Sequence, residues 1–452
     1  MKKNLTMREL VVMGGALFSM HFGAACMLFP VQWGKDAGSL VFLVFLGVLI
    51  SGVILPFLGY YALVRGDGTF VDITRRAAPK FGTFFIAVTI LVLGPIYLVP
   101  RMSAAAWAAI VQLSGFHTDS MIPVVLFSIA YYLVAYWFVS SKGSVMDKIG
   151  KILFPILIIV VTAVIIKSIA TPISHTWTKP SFHENPVAYG FLQGYATGDL
   201  QCALMFGLVI VHGIRNAGIG GRDINRNLIR VGVVGLGLLM LTILGHMIAG
   251  ANTGGTIHLT LSALYTQMVL ELWGSAGAFL FNIALIAAAL TTAVGAIAST
   301  SEIWEELLKE KKKPAFSYRN LAIASCVISC LISFADLDTI VEVIEPVLDA
   351  CYPAAIVIAV YYCFDRLPNA ASHLVAMKYT MIAAFCVSIL SMLEVYSSMF
   401  GFDLGVIRTI YEALPLSGQN LAWLPISVAV FAVVLGIQSV GGRLAERSRQ
   451  AA

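Results

Sequence analysis

Long apolar segments recur along the chain at nearly regular intervals, and short polar loops separate them. A membrane-spanning α-helix needs about 20 mainly apolar residues, because each residue adds 1.5 Å to its length. Segments of this kind predict twelve spans, at residues 8–30, 40–64, 81–113, 121–140, 150–170, 187–214, 228–251, 272–300, 319–335, 340–363, 372–396 and 421–440. The pattern therefore predicts an all-α polytopic membrane protein with about twelve transmembrane helices.

Basic residues are concentrated in alternate loops. They lie near residues 2–8, 65–80, 142–151, 215–230, 309–319, 366–378 and 443–449, whereas the intervening loops carry only Lys35, Lys167, Lys179 and Arg408. Short loops rich in Lys and Arg remain on the cytoplasmic side of a membrane. The pattern predicts that both termini are cytoplasmic, with residues 441–452 as a tail, which agrees with an even number of spans.

The composition excludes several classes of protein. Hydrophobic residues make up 59% of the chain and charged residues 12%, about half the charged share of a typical soluble domain. The net charge of +5 is spread through short loops, unlike the clustered charge of a nucleic-acid-binding module. The sequence contains neither HExxH nor the nucleotide-binding pattern GxxxxGK[ST], so we expect neither an enzyme nor an ATP-driven pump.

Two predicted spans, five spans apart, contain small residues near the middle of the membrane. The first holds FGAACMLFP at 22–30, and the second holds GYATGDLQCALMFG at 194–207. Unwinding a helix there frees backbone groups that must find partners, and in many transporters such breaks bind substrate and ion. The main chain at 23–26 and 195–199 is therefore predicted to bind an amino acid. The alternative is that these glycines serve only close helix packing.

Asp199 places a carboxylate inside the second broken span. Charges within a membrane are costly and are generally functional, so Asp199 is a candidate for binding a substrate ammonium, a cation or a proton. The alternative is that Asp199 forms a salt bridge with Arg101 that only stabilises the fold. For Arg101 itself we favour such a structural role. His21, just before the first break, either senses protons, bonds a carbonyl or packs as a core residue.

Thr291 and Thr292 are adjacent hydroxyls in the otherwise apolar eighth span. A hard cation prefers oxygen ligands, and the carbonyl of Ala288, one turn earlier, would add a third oxygen. The pattern predicts a cation site opposite the first broken span. Hydrogen bonding of each threonine to its own helix is the alternative interpretation.

Several longer motifs together carry a family resemblance that runs from about residue 6 to 440. They are RELVVMGGALFSMHFGA, GPIYLVPR, GFLQGYATGDL, MFGLVIV, LTTAVG and LPLSGQNLAWLPI. On these motifs the chain resembles the bacterial branched-chain amino acid:cation symporters of the amino acid–polyamine–cation superfamily. The resemblance implies a LeuT-type fold, in which inverted repeats at 1–170 and 187–364 precede two accessory spans at 372–440. It also implies uptake of leucine, isoleucine and valine through the inner membrane, with sodium or, in some members, protons.

The resemblance also implies two sets of site residues. The substrate set is Gly23, Ala24, Ala25, Cys26, Tyr195, Thr197 and Asp199. The sodium set is the carbonyls of Ser19, Phe22 and Ala288 with the hydroxyls of Thr291 and Thr292. No cofactor beyond the coupling ion and no nucleic-acid partner is expected.

The chain departs from the family pattern around the first break, where Val31 follows Pro30 in place of the second proline of the family's FPP, and at three further positions. Ala25 replaces a glycine, Cys26 replaces an asparagine, and His21 stands where an aromatic residue is usual. In the related fold that asparagine helps bind a sodium ion beside the substrate carboxylate. A same-fold transporter of another small amino acid coupled to protons, or a non-transporting amino acid sensor, therefore stays open as an alternative. The sequence does not define the oligomeric state.

Overall fold

A computed structural model describes residues 2–66, 68–114, 120–140, 148–259, 261–310, 316–363 and 370–450. Every regular element within these ranges is helical, as the sequence predicted. The α-helices are α1 (Met7–His21), α2 (Ala24–Ala37), α3 (Val41–Leu49), α4 (Leu55–Gly66), α5 (Phe70–Ala77), α6 (Pro79–Leu91), α7 (Leu98–Ser114), α8 (Ile122–Val139), α9 (Phe154–Ala170), α10 (Pro186–Gln193), α11 (Asp199–Asn216), α12 (Asp223–Ala251), α13 (Leu261–Glu310), α14 (Tyr318–Ile332), α15 (Leu337–Tyr361), α16 (Ala370–Phe400), α17 (Val406–Glu412) and α18 (Trp423–Gln450).

Eight helices in the described ranges are long and apolar enough to cross a membrane. Two of them, Ala24–Gly66 with 43 residues and Ala263–Leu308 with 46 residues, each exceed the ~20 residues that one crossing needs. Shorter apolar helices lie at Tyr318–Ile332 and Trp423–Gln438. The count of twelve spans stays a prediction. Parts of the predicted basic loops, at 141–147, 311–315 and 364–369, lie outside the described residues.

The first predicted break occurs where α1 ends and α2 begins. Phe22 leaves the helical conformation with ψ near 68°, and Gly23 is extended. A Cβ atom on residue 23 would lie 2.5 Å from Oγ1 of Thr292 and 3.0 Å from Sδ of Met102. Glycine is therefore required because α13 approaches the broken backbone too closely for any side chain.

The second predicted break separates α10 from α11. Residues Gly194–Thr197 form a 3₁₀ turn, and Gly198 follows with φ +68°. Only glycine adopts this left-handed conformation without steric cost, and the chain then starts α11 at Asp199. The short glycine-containing turn thus places a carboxylate at the first position of a new helix.

Two pairs of helices, each with one member next to a break, pack through backbone contact. Between α2 and α12, a Cβ atom on Gly34 or Gly250 would overlap a backbone carbonyl of the opposite helix. Between α3 and α10, the same holds for Gly47 and Gly190. Small residues permit such close approach of helix backbones in membranes.

The chain divides into two compact units. One comprises Met1–Tyr60 and Ile90–Glu345, and it contains both breaks and every predicted site residue; the other comprises Tyr61–Thr89 and Pro346–Ala452. In the second unit, the rings of Phe81, Phe84 and Phe85 pack around Phe385 at 5.6–6.1 Å. These units reflect packing and do not test the division into repeats at 1–170 and 187–364, which stays a prediction.

Candidate functional site

The N-termini of α2 and α11 meet inside the first unit. The thiol of Cys26, in the first turn of α2, lies 3.5 Å from Oδ2 of Asp199, the first residue of α11. Intrahelical hydrogen bonding starts only at the N–H groups of Met27 and Cys202. The earlier N–H groups of both helices point out of the helix ends, where the helix dipoles favour a negative charge. The predicted substrate residues Gly23, Ala24, Ala25 and Cys26 are all buried here.

Asp199 is buried and paired with His21. Nδ1 of His21 lies 2.7 Å from Oδ1 of Asp199, and both side chains are almost completely inaccessible. The side-chain partner of Asp199 at hydrogen-bond distance is therefore His21 rather than Arg101, the partner weighed from the sequence. His21 bonds the carboxylate itself, an arrangement that the sequence did not predict.

Tyr60 extends this contact to a third helix. Its hydroxyl lies 2.8 Å from Nε2 of His21, and the tyrosine is fully buried in α4. The two ring nitrogens of His21 thus bond two different partners, a carboxylate and a phenol. Sequence reasoning missed Tyr60, since a tyrosine in an apolar span carries no local signal of such a contact.

Arg101 is buried in α7 among aromatic rings. Its Nη1 donates to the hydroxyl of Tyr97 at 2.5 Å. Its guanidinium carbon lies 4.4 Å from the ring centre of Tyr97 and 5.5 Å from that of Phe29. Cation–π contacts of this kind stabilise a desolvated arginine, and they agree with the structural role that we favoured for Arg101.

Tyr195 and Thr197 lie in the 3₁₀ turn of the second break. The carbonyl of Tyr195 accepts the N–H of Gly198 at 2.8 Å, and the hydroxyl of Thr197 donates to the carbonyl of Gly194 at 2.9 Å. Both residues are buried beside Asp199. Their contacts stabilise the turn, and their contact with a substrate stays a prediction.

Thr291 and Thr292 connect α13 to the carboxyl end of α1. The Thr291 hydroxyl is 2.6 Å from the Ser19 carbonyl and 2.7 Å from the Ala288 carbonyl. The Thr292 hydroxyl is 2.8 Å from the Met20 carbonyl and 3.5 Å from that of Ser19. Bonding of Thr291 to its own helix, the alternative from the sequence, therefore occurs together with the contact to α1.

These five oxygens form a compact cluster, which we call the hydroxyl–carbonyl cluster: the hydroxyls of Thr291 and Thr292 with the carbonyls of Ser19, Met20 and Ala288. The Met20 carbonyl was not predicted, and that of Phe22, the other predicted sodium ligand, lies at the break two residues further on. Neutral oxygens of this kind can bind a hard monovalent cation. Within the described residues, no group of three or more His, Cys, Asp or Glu side chains is placed to hold a metal ion.

The site therefore combines groups suited to two different ligands. A buried carboxylate beside two helix N-termini can bind an ammonium and a carboxylate of one small molecule. The hydroxyl–carbonyl cluster can bind a cation, and it begins only two residues before His21. Both sets of groups lie around the same break in the chain.

The chain is similar in sequence to known transport proteins over nearly its whole length. The branched-chain amino acid transport system 2 carrier protein of Pseudomonas aeruginosa is 29% identical over 432 residues, which cover 94% of this chain and 95% of the relative. The branched-chain amino acid permease BraB of Bacillus subtilis is 28% identical over 436 residues, which cover 94% of each chain. Both relatives are carriers rather than enzymes, as we expected for this chain.

Among solved structures, the chain is similar to Mhp1, a nucleobase-cation-symport-1 family transporter in a closed conformation with bromovinylhydantoin bound. The TM-score is 0.57 at 13% identity, with 95% of this chain and 93% of Mhp1 covered. This likeness concerns the fold alone, and it confirms the predicted LeuT-type fold. The model of the branched-chain amino acid transport protein family matches residues 6–440. The chain is thus a multi-pass membrane protein, and it belongs to the family of branched-chain amino acid transport proteins.

Proposed function

We propose that this protein imports leucine, isoleucine and valine through the bacterial inner membrane by symport with sodium. The hydroxyl–carbonyl cluster is the observation that carries the choice of ion. It consists of neutral oxygens only, which suit a hard cation and offer no group that takes up a proton at ordinary pH.

The cation would be held between α1 and α13. The carbonyls of Ser19 and Met20 lie in the last turn of α1, where the helix dipole favours a positive charge. The hydroxyls of Thr291 and Thr292 face these carbonyls from α13. A bound cation therefore joins the two helices, and it stabilises the conformation in which they are in contact.

The amino acid would bind on the other side of His21. Its ammonium pairs with Asp199. Its carboxylate accepts hydrogen bonds from the backbone N–H groups of residues 24–26, at the start of α2. The aliphatic side chain enters an apolar pocket, which discriminates one methylene group only weakly. Specificity among the three branched-chain amino acids is therefore modest.

Coupling follows from the position of both ligands on one segment. Ser19, Met20 and the start of α2 are separated by only a few residues, so the conformation that orders one site also orders the other. A ligand shifts a conformational equilibrium by its difference in affinity for the two states. In this alternating-access scheme, sodium favours the substrate-competent outward state, and the sodium gradient drives uptake.

The test is uptake of labelled isoleucine into proteoliposomes under separately imposed sodium and proton gradients. We expect uptake driven by sodium, competed by leucine and valine, and lost in the double variant Thr291→Ala, Thr292→Ala. Uptake driven by the proton gradient alone would show that the coupling ion is the proton and not sodium. Binding of leucine without accumulation under either gradient would instead indicate a sensor.

A further inference from the structure

The two oxygens of the Asp199 carboxylate have different surroundings. Oδ1 lies 2.7 Å from Nδ1 of His21, a short hydrogen bond. Oδ2 faces the Cys26 thiol at 3.5 Å, and a thiol is a weak donor. Oδ2 is therefore the oxygen that is available to a ligand.

We propose that His21 is a positioning residue, which fixes the Asp199 carboxylate so that Oδ2 meets the ammonium of the amino acid, and that Tyr60 in turn fixes His21. This inference rests on the proposed function and deepens it. It assigns a role to a residue that stands where the family pattern has an aromatic side chain.

The hydrogen bonds define which nitrogen of a neutral His21 carries its proton. Because Asp199 offers only acceptors, the N–H is at Nδ1, and Nε2 is left as an acceptor for the Tyr60 hydroxyl. Asp199 thus sets the tautomer of the imidazole. The Tyr60 hydroxyl, which bonds the other nitrogen, helps to hold the ring in position. The His21 ring also packs edge-on against Tyr60 and Phe206, with ring centres 5.9 and 5.3 Å away, so it has little freedom to turn.

A fixed carboxylate binds an ammonium more tightly than a mobile one. A group held in its binding geometry loses no further freedom when the ligand arrives. If the Nδ1 donor is removed, Oδ1 is left buried without its short hydrogen bond. The carboxylate is then no longer held in one orientation. The affinity for the ammonium then falls, whereas contacts with the rest of the substrate are unchanged.

Two substitutions at the same position separate the two hydrogen bonds. His21→Asn places an amide N–H near the position of Nδ1, so it keeps the bond to Asp199. His21→Gln places its amide near Nε2, so it keeps the contact with Tyr60 and loses the one with Asp199. Tyr60→Phe is the third variant, since it removes only the hydroxyl that bonds Nε2 of His21.

The measurement is the KM for isoleucine uptake in proteoliposomes, together with inhibition by leucine and by 4-methylpentanoate, which is leucine without its amino group. For His21→Asn we expect a KM within about threefold of the wild type. For His21→Gln we expect a rise of about tenfold or more, as for loss of a hydrogen bond to a charged group. The preference for leucine over 4-methylpentanoate should fall by the same factor in His21→Gln and by a smaller factor in Tyr60→Phe.

Equal KM values for His21→Asn and His21→Gln would overturn the positioning role. An equal loss of affinity for leucine and 4-methylpentanoate would also overturn it, since a merely structural residue affects both ligands alike. If His21→Gln does not fold, as judged by size exclusion, an unchanged preference in Tyr60→Phe overturns the inference. A wild-type protein that neither binds nor accumulates branched-chain amino acids refutes the proposed function itself.

Discussion

Replacing Thr291 by valine or by serine separates the effect of its hydroxyl, in the proposed cation site, from the effect of the side chain's shape. Thr291→Val keeps the branched shape and removes the single O–H donor that lies 2.6 Å from the Ser19 carbonyl and 2.7 Å from the Ala288 carbonyl. Because a hydroxyl donates only one hydrogen, shared here between two carbonyls, the loss is about 1 kcal/mol of stability. Thr291→Ser keeps the hydroxyl and removes one buried methyl group, which costs about 1 kcal/mol. The two variants should therefore have similar stability, but only Thr291→Ser keeps an oxygen that can contact a cation.

The assay is isoleucine uptake as a function of external sodium concentration, with thermal unfolding of each purified variant as the control. We expect the half-saturating sodium concentration of Thr291→Val to rise about tenfold or more, since a contact with a charged group is lost. That of Thr291→Ser should stay within about threefold of the wild type. Wild-type sodium dependence in a folded Thr291→Val protein would refute the assignment of this cluster to sodium.

Three further predictions follow from single contacts. Gly23→Ala places a Cβ atom 2.5 Å from Oγ1 of Thr292, so overpacking of about 1–3 kcal/mol should lower the melting temperature and abolish sodium-driven uptake; wild-type uptake would contradict the close approach. Asp199→Asn should raise the KM for isoleucine about tenfold or more without weakening inhibition by 4-methylpentanoate, and a parallel loss for both ligands would count against an ammonium contact. The Thr339 backbone N–H, 2.8 Å from Asp336 at the start of α15, lowers the pKa of Asp336; its charged form therefore stabilises the fold above the unfolded-state pKa of about 4. The difference in melting temperature between wild type and Asp336→Ala should shrink as the pH falls below about 4, and a constant difference would exclude this cap.

Local features of the sequence predicted the two breaks and the hydroxyl pair. Glycine at 23 and 198 marks positions where a side chain or an ordinary backbone conformation does not fit, and adjacent threonines are conspicuous in an apolar helix. These signals are local because backbone conformation and helix periodicity depend on neighbouring residues.

The contacts of His21 could not be predicted in the same way. Its two partners are 39 and 178 residues away along the chain, and only the packing of three helices brings them together. The Met20 carbonyl escaped prediction for a different reason, since every residue carries a carbonyl and the fold alone decides which one faces Thr292. The motifs that carry the family resemblance include Asp199, but they do not indicate which residue it contacts.

The glycine contacts between α2 and α12, and between α3 and α10, restrict how the molecule can change shape. Where one helix backbone touches another without intervening side chains, a sliding movement would bring Cβ atoms of neighbouring residues into the opposite carbonyls. Each pair should therefore move as a single rigid body. Rotation is then concentrated at residues 22–23 and 194–198, where the α-helix is interrupted between α1 and α2 and between α10 and α11. These same residues adjoin both proposed binding sites, so the pivots of the movement would coincide with the groups proposed to bind the amino acid and the cation.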